Sequence, residues 1–206
     1  MTALERQLAE LPVTAVSDAL KGQTNLDPAI KPVRDHQRVA GRAYTVKVNA
    51  ADNKLVLKGI GEAREGDVLV VDAKGWMQNA ACGDFVAGLA KTLGLSGLVI
   101  DGVVRDLDGI RDLDFPVFCK GTAQAASGRH GTGETNIPIS CGGAAVMPGD
   151  YIVGDIDGVA VIPQGQEEAV FEGARKKMTK DDERERAIIG NEEAARAHIR
   201  DVLSKG

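Results

Sequence analysis

The sequence is poor in aromatic residues and has no excess of positive charge. Only 3% of its 206 residues are Phe, Trp or Tyr, and 25 Lys and Arg stand against 30 Asp and Glu, which gives a net charge of −5. Proteins that bind nucleic acids need basic side chains that displace counterions from phosphates, and often aromatic side chains that stack on bases. We therefore expect no nucleic acid among the partners of this chain.

Cysteines are few, and long apolar runs are absent. Cys82, Cys119 and Cys141 are odd in number and far apart, and they form neither a CxxC pair nor a zinc-binding pattern. We interpret them as reduced, buried side chains of a cytoplasmic protein. No segment approaches the ~18 apolar residues of a membrane span, and the first ten residues lack the basic and apolar regions of a signal peptide. We expect no membrane partner.

The order of the apolar patterns predicts a single α/β domain. Two apolar runs typical of buried strands, residues 66–75 and 96–102, enclose a helical pattern over residues 83–94. Strand patterns at 38–49 and 138–162 extend this unit on both sides. Alternation of this kind is typical of an α/β fold, here with a mixed sheet.

Helices are predicted at both ends of the chain. In residues 1–22 the leucines have helical spacing, and Thr14 or Ser17 is a candidate cap for a second short helix. Residues 164–206 are charged and helical, with a break at residues 190–191. Residues 121–137 form a long polar, Gly-rich segment that we predict to be a functional or interface loop.

Two neighbouring segments carry the residues best suited to chemistry. The first amides of the predicted helix 83–94 have no partner within the helix and favour an anion. Arg105 and Asp106 follow strand 96–102, and ligands of open α/β sheets bind at the carboxyl ends of strands. Arg105 suits a carboxylate, and Asp106 suits Mg²⁺ or Mn²⁺. Asp84 and Asp106 fit equally well the structural role of helix N-caps.

Other catalytic groups have weaker sequence support. A Schiff-base mechanism needs a desolvated lysine, and a histidine mechanism needs a shielded imidazole. The candidates lie in or beside predicted strands or in polar segments without a recognisable motif: Lys47, Lys74, Lys120, His36, His130 and His198. Surface exposure is the better interpretation of each, and a substrate contact from His130 stays open because it lies in the Gly-rich segment.

Asp84, a spacer of twenty residues, Arg105 and Asp106 resemble the D-X20-R-D signature of a lyase family. This family is the class II 4-hydroxy-4-methyl-2-oxoglutarate/4-carboxy-4-hydroxy-2-oxoadipate aldolases, in the superfamily of the regulator of ribonuclease activity A. The blocks GDVLVVDAKG, GLVIDGVVRDLDGIRDLDFPVF and IPISCGGAAVMPGDYIVGDIDGVAVIP are also similar to family sequence. The resemblance covers residues 12–180, most of the chain.

The resemblance implies the fold and the assembly. It implies a mixed-sheet domain of the swivelling β/β/α type, here residues 1–163, with helices at both ends. Residues 164–206 would form a helical extension that packs on a neighbouring subunit. A homotrimer or hexamer is expected, with the site at a subunit interface.

The resemblance also implies roles for individual residues. The pyruvoyl carboxylate of a 2-oxo acid would be bound by the Arg105 guanidinium and by the amides of Gly83, Asp84, Phe85 and Val86. Asp106 would bind a divalent metal ion, Mg²⁺ or Mn²⁺, and Asp84 would hold a water ligand of that metal. A carboxylate from the C-terminal helix of a neighbouring subunit is also expected, and the candidates are Asp181, Glu183 and Glu185.

The implied activity is cleavage of 4-hydroxy-4-methyl-2-oxoglutarate or 4-carboxy-4-hydroxy-2-oxoadipate to pyruvate and a second 2-oxo acid. Loss of CO₂ from oxaloacetate generates the same enolate, so decarboxylation is an expected companion activity. The alternative is a non-catalytic regulator that binds ribonuclease E or another protein. Members that lack the Asp after the Arg have lost the metal ligand, and this chain keeps both Arg105 and Asp106, which favours the enzyme.

Overall fold

The computed structural model describes residues 2–205, which form seven helices and twelve strands. The helices are α1 Ala3–Glu10, α2 Val13–Ala19, α3 Lys54–Glu62, α4 Asp84–Thr92, α5 Leu107–Asp112, α6 Glu167–Ile188 and α7 Glu192–Ser204. The strands are β1 Lys31–Pro32, β2 Val39–Val48, β3 Val68–Trp76, β4 Asn79–Ala80, β5 Gly97–Gly102, β6 Val117–Cys119, β7 Ala125–Ala126, β8 Gly133–Thr135, β9 Ile139–Cys141, β10 Ala144–Val146, β11 Tyr151–Asp155 and β12 Gly158–Ile162.

A mixed sheet of eight strands forms the centre of the domain. Its order is β1-β6-β5-β3-β2-β11-β12, and β8 pairs with β2 outside this path. The strands β2, β3, β5 and β6 are mutually parallel, whereas β1, β8, β11 and β12 pair in antiparallel fashion. The predicted α/β fold with a mixed sheet is therefore confirmed.

The central strands are buried on both faces, which explains their uninterrupted apolar sequences. Along β3, Leu69 and Val71 face a cluster formed with α3 and α4, whereas Val68 and Val70 face a cluster with β9, β10 and the loop before β1. All four side chains are fully buried. Because the side chains of a strand alternate between its two faces, each face must be apolar.

The N-terminal helices pack on the outer part of the sheet and on α6. Helix α1 begins with a capping box between Thr2 and Glu5. The predicted caps of the second helix, Thr14 and Ser17, are wrong, because α2 already begins at Val13. The amide of Val13 donates to the Asp155 carboxylate at 2.9 Å, a cap that is far away in sequence and that no local pattern can reveal.

The predicted loop 121–137 contains two short strands. Strand β7 pairs with β4, and β8 pairs with β2. The prediction of an unbroken loop was wrong because the glycines and polar residues of this segment mask pairing that depends on backbone contacts. The loop is thereby attached to the central sheet through β8, whereas β7 and β4 form a separate two-stranded sheet.

The C-terminal extension is helical, with the predicted break between α6 and α7. Its first half packs on the same chain through Val170 and Ala174, whereas α7 contains no buried residue. Ile189 and Leu203 are about three-quarters exposed, at 77% and 76%. None of the helices within residues 2–205 is long and apolar enough to cross a membrane.

Candidate active site

A small cleft of about 130 Å³ lies beyond the carboxyl ends of the parallel strands. Four chain segments form it: the start of α3, the stretch from β4 to the start of α4, the turn between β5 and α5, and the loop around β7. Its lining residues are Asn53, Ala80, Cys82, Gly83, Asp84, Phe85, Val86, Arg105, Asp106, Ala126, Ser127 and Arg129. The cleft thus brings together all six residues that the sequence pattern singles out.

Backbone hydrogen bonds fix the turn that carries Arg105. The Arg105 amide donates to the carbonyl of Cys82 at 3.0 Å, which joins this turn to the start of α4. On its other side, the Val104 amide donates to the carbonyl of Gly121 at 3.0 Å, and the Ala123 amide donates to the carbonyl of Val104 at 2.9 Å. The turn therefore continues the sheet by short bridges, and its position is set by two neighbouring segments.

Gly83 is the N-cap of α4, and Asp84 is the first residue of the helix. Asp84 does not cap the helix in the usual way, because its Oδ1 accepts a hydrogen bond from the adjacent Phe85 amide at 2.6 Å. That amide becomes available to a substrate only when the Asp84 carboxylate turns away. The Phe85 side chain is 72% exposed at the rim of the cleft.

Asp106 has an unusual backbone conformation. Its φ of 54° and ψ of 47° lie in the left-handed region, which Asp and Asn tolerate better than most side chains. It occupies the N-cap position of α5, but its side chain makes no capping hydrogen bond to the helix. Its Oδ2 instead lies 3.1 Å from Nε of Arg105, and both side chains are partly exposed. Strained residues of this kind concentrate at functional sites.

Two glycines leave the space that the two carboxylates occupy. A Cβ atom at Gly83 would lie 2.5 Å from Oδ2 of Asp106, and one at Gly109 would lie 2.5 Å from Oδ2 of Asp84. Neither distance is compatible with ordinary packing. The close approach of α4 to the Arg105 turn therefore depends on the absence of these side chains.

The donor set fits a hard divalent cation. Within residues 2–205, no three His, Cys, Asp or Glu side chains lie close enough together to enclose a metal ion. Mg²⁺ does not need such a cage, since it retains several waters and takes one or two carboxylates and substrate oxygens. Asp106 supplies a partly exposed carboxylate that lines the cleft and makes no capping hydrogen bond to α5.

Among the lining residues that the sequence did not point to, Asn53 and Arg129 have the side chains best able to bind a substrate. Asn53 is the N-cap residue of α3, and its Oδ1 is buried without a hydrogen-bond partner in the described part of the chain. Arg129 lies in the polar segment 121–137. The polar composition of that segment was a usable signal, but His130, the residue predicted there as a possible substrate contact, is exposed and does not line the cleft.

The remaining candidate nucleophiles are unsuited to covalent catalysis. Lys120 lies 2.7 Å from Asp101 and 2.9 Å from Asp27. Burial lowers its pKa, but the two carboxylates outweigh burial and raise the pKa above its usual value, so the amine stays protonated. The three cysteines are free and buried, as predicted, and burial strongly raises the pKa of the Cys82 thiol beside the cleft.

The sequence profile of the RraA-like family, described as Aldolase/RraA, matches residues 13–161. This chain belongs to the RraA-like family. A relative from Halalkalibacterium halodurans, named provisionally as a 4-hydroxy-4-methyl-2-oxoglutarate aldolase, is 52% identical over 96% of this chain and 94% of its own. A Thermus thermophilus protein named 4-hydroxy-4-methyl-2-oxoglutarate aldolase is 32% identical over 75% of this chain and 94% of its own.

A solved structure shares the RraA-like fold. It is described as the RNA-processing inhibitor RraA from Thermus thermophilus, and it superposes with a TM-score of 0.69 at 31% identity. The alignment covers 75% of this chain and 93% of the solved one. RraA-like proteins therefore carry the names both of aldolases and of regulators, and fold alone does not separate the two functions.

Proposed function

We propose that this RraA-like protein is a metal-dependent pyruvate aldolase. Its substrates would be 4-hydroxy-4-methyl-2-oxoglutarate or 4-carboxy-4-hydroxy-2-oxoadipate, cleaved to pyruvate and a second 2-oxo acid. One observation carries the proposal: Arg105 and Asp106 stand side by side, Nε to Oδ2 at 3.1 Å, in a cleft at the start of α4. The aldolase names of two relatives support it.

The carboxylate of the 2-oxo acid is held by Arg105 and the start of α4. A guanidinium binds a carboxylate through two parallel hydrogen bonds, and free amides at a helix N-terminus add donors of the same sign. Gly83, Asp84 and Val86 line the cleft together with Arg105, and their amides would supply these donors. The Phe85 amide joins them when Asp84 releases it.

Asp106 would hold Mg²⁺ or Mn²⁺ in this cleft. Once bound, the cation acts as a Lewis acid that stabilises the negative charge which develops on the 2-keto oxygen. Arg105 adds positive potential at the same position and fixes the orientation of the substrate. Charge that grows in the transition state is thereby stabilised more strongly than the ground state.

The bond changes balance without a redox partner. The C3–C4 bond breaks, and its electron pair moves into the C2–C3 bond as the 2-keto group becomes an enolate. The 4-hydroxyl loses its proton and becomes the carbonyl of the second 2-oxo acid, and a proton is added to C3 to give pyruvate. Asp84 would order the water that exchanges these protons. Loss of CO₂ from oxaloacetate yields the same enolate, so decarboxylation is part of the proposal.

Arg129 supplies a binding point for the second carboxylate of these substrates. The cleft contains two arginines, Arg105 and Arg129, and two aspartates, Asp84 and Asp106. Their charges cancel, so a bound divalent cation leaves a net charge of +2, which complements a dicarboxylate. A second positive group in the cleft, from a different chain segment than Arg105, favours a 2-oxo acid with a distal carboxylate over pyruvate itself.

A homotrimer or hexamer would complete the site, with the extension 164–206 packed on a neighbouring subunit. The exposed apolar side chains of α7, such as Leu203 at 76%, need cover from another surface. Asp181 already pairs with Lys177 and Arg184 of its own chain at 2.7 and 2.9 Å. Glu183 and Glu185 are therefore the better candidates for a carboxylate donated to a neighbour's site.

A cytoplasmic location is also part of the proposal, because three free cysteines suit a reducing compartment.

A regulator without catalytic activity is the second candidate. The observation that favours it is the likeness to a protein described as an RNA-processing inhibitor. Such a protein would bind ribonuclease E or another partner through its surface and would not need Arg105 or Asp106.

A coupled assay separates the two functions. Pyruvate release from 4-hydroxy-4-methyl-2-oxoglutarate and from oxaloacetate is followed with lactate dehydrogenase, in Mg²⁺ and in EDTA. We expect metal-dependent release from the wild type, a loss of at least ~10²-fold in Asp106→Asn, and full activity in Asp108→Asn. Asp108 is the matched control because its side chain is 99% exposed two residues away. Wild-type protein that releases no pyruvate in Mg²⁺ would overturn the aldolase and favour the regulator.

A further inference from the structure

A buried carboxylate lies just outside the cleft, at the entry to α3. Asp52 is 3% exposed, and its two oxygens accept four hydrogen bonds. Oδ1 accepts from the Lys54 amide at 3.0 Å. Oδ2 accepts from the Gly131 amide at 2.7 Å, the Thr132 amide at 2.9 Å and the Thr132 hydroxyl at 3.0 Å. Three of the four bonds thus hold one short piece of the polar segment 121–137.

The charge of Asp52 is stabilised by these donors. Burial raises the pKa of Asp52, but the hydrogen bonds from Thr132, Lys54 and Gly131 outweigh burial and lower it to about 2. The group is therefore a carboxylate at neutral pH. Hydrogen bonds to an ionised acceptor are stronger than neutral ones and leave little freedom to the groups that donate them.

The backbone on either side of Asp52 holds the same piece of chain. The Gly128 amide donates to the carbonyl of Ala51 at 2.8 Å, and the Asn53 amide donates to the carbonyl of Gly128 at 3.0 Å. Gly128 and Gly131 are thus both fixed to residues 51–53. Arg129 lies between these two attachment points, and its position depends on both of them.

Two cleft residues meet at this junction. Asn53 directly follows Asp52, and Arg129 lies in the piece of chain that Asp52 holds. Both line the same cleft as Arg105, whereas Asp52 does not line it. Because Asp52 holds the chain at both residues but does not line the cleft itself, any effect of Asp52 on the substrate must act through Asn53 and Arg129.

We propose that Asp52 is a positioning residue that holds Arg129 and Asn53 in the cleft, so that Arg129 meets the distal carboxylate of the substrate. The proposal rests on the proposed function for its catalytic consequence. The proposal concerns Arg129 and Asn53, whereas the pyruvoyl carboxylate is bound by Arg105 and the start of α4. Loss of Asp52 therefore affects substrates with a distal carboxylate and spares pyruvate.

The kinetic test compares two reactions of the Mg²⁺-loaded protein. Cleavage of 4-hydroxy-4-methyl-2-oxoglutarate needs both carboxylate-binding points, whereas exchange of the pyruvate methyl protons with deuterium needs only the half around Arg105. In Asp52→Asn one carboxylate oxygen is replaced by an NH₂ group. This NH₂ group cannot accept the hydrogen bonds that the carboxylate oxygen accepted in the wild type. We expect KM for cleavage to rise by about tenfold, as in Arg129→Met, and the KM for pyruvate exchange to stay within about twofold.

A double variant separates positioning from general loss of structure. If Asp52 acts through Arg129, adding Asp52→Asn to Arg129→Met raises KM little further, because coupled residues are not additive. The control is Asp150→Asn, which removes another buried carboxylate that holds two backbone amides, at 2.8 and 3.1 Å, away from the cleft. This control loses stability, but the ratio of the two reactions stays unchanged.

Amide hydrogen exchange tests the anchoring independently of activity. In Asp52→Asn, the amides of Gly131 and Thr132 exchange at least ~10-fold faster while the amides of β3 keep wild-type protection. Thr132→Val removes only the hydroxyl that donates to Asp52. If Asp52→Asn fails to fold, this variant replaces it, and we expect a smaller increase in the exchange rates of the same amides. If the wild type releases no pyruvate, the proposed function fails, but this exchange still decides whether Asp52 anchors the segment.

Three results would overturn the proposal. The first is unchanged exchange at residues 131–132 in Asp52→Asn. The second is an equal loss of cleavage and of pyruvate exchange, which indicates a general structural role. The third is full additivity of Asp52→Asn and Arg129→Met, which shows that Asp52 does not act through Arg129.

Discussion

Gly83→Ala introduces one methyl group into the cleft. The backbone at Gly83, with φ −126° and ψ −171°, accommodates alanine, so the change acts through contacts. The new Cβ lies 2.5 Å from Oδ2 of Asp106 and 3.2 Å from Cγ of Arg105. A normal contact at this position needs a shift of about 1 Å. Because the contact atom is the end of a side chain, the Asp106 carboxylate moves while the fold persists.

The expected loss follows from that displacement. A misplacement of about 1 Å in an active site costs roughly 10²-fold, which corresponds to about 2.7 kcal/mol of transition-state stabilisation. Replacing glycine by alanine at an N-cap changes stability by only about 1 kcal/mol or less. We therefore expect kcat/KM to fall about a hundredfold in Mg²⁺ while Tm moves by only a few degrees.

The assay is lactate-dehydrogenase-coupled pyruvate release at saturating Mg²⁺, with thermal unfolding measured in parallel. Gly61→Ala is the matched control, since Gly61 lies in α3 and a Cβ there meets nothing within 4 Å. It is expected to gain about 0.5–1 kcal/mol of stability and to keep full activity. Gly83→Ala with kcat/KM within threefold of the wild type would refute the placement of Asp106 at the reacting centre.

Three further predictions concern backbone strain, pH and assembly. Asp106→Asn and Asp106→Ala are expected to lose activity alike, but urea unfolding should show Asp106→Ala to be less stable by about 1 kcal/mol, because Asn tolerates the left-handed conformation. The pKa of Asp52 is lowered from 3.8 to about 2 in the folded protein. Its contribution to the free energy of unfolding is therefore present above about pH 4 and lost as pH falls towards 2, and Asp52→Asn should flatten that dependence in acid titrations. Deletion of residues 190–206 removes α7, which has no buried residue, so Tm should stay nearly unchanged while light scattering reports a smaller assembly.

The parts of the fold that depend on local pattern were predictable. Strands β3 and β5 follow from continuous apolar runs such as Val68–Val71, and α4 follows from helical spacing that ends in Gly94. The start of α2 was not predictable, because its cap is Asp155, far away in the chain. The pairing of β8 with β2 was not predicted either, because β8 has no apolar residue and the pairing depends on backbone hydrogen bonds.

The candidate site divides in the same way. Asp84 follows β3 and β4, and Arg105 and Asp106 follow β5. Because β3 and β5 are neighbouring parallel strands, the proximity of these three residues could be predicted. Asn53 and Arg129 come from segments that share no motif with them, and these two segments are joined by hydrogen bonds at residues 51–53. Such tertiary contacts leave no periodic trace in the sequence.

The most direct measurement of enolate chemistry at Arg105 is the exchange of the pyruvate methyl protons with deuterium, followed by proton NMR. The wild type in Mg²⁺ should exchange these protons well above the rate without protein, and EDTA or Arg105→Leu should abolish the exchange. The exposed Arg6→Leu on α1 should leave it intact. Exchange that is absent from the Mg²⁺-loaded wild type, or that survives in Arg105→Leu, would contradict the assignment of this cleft as a pyruvate-enolising site.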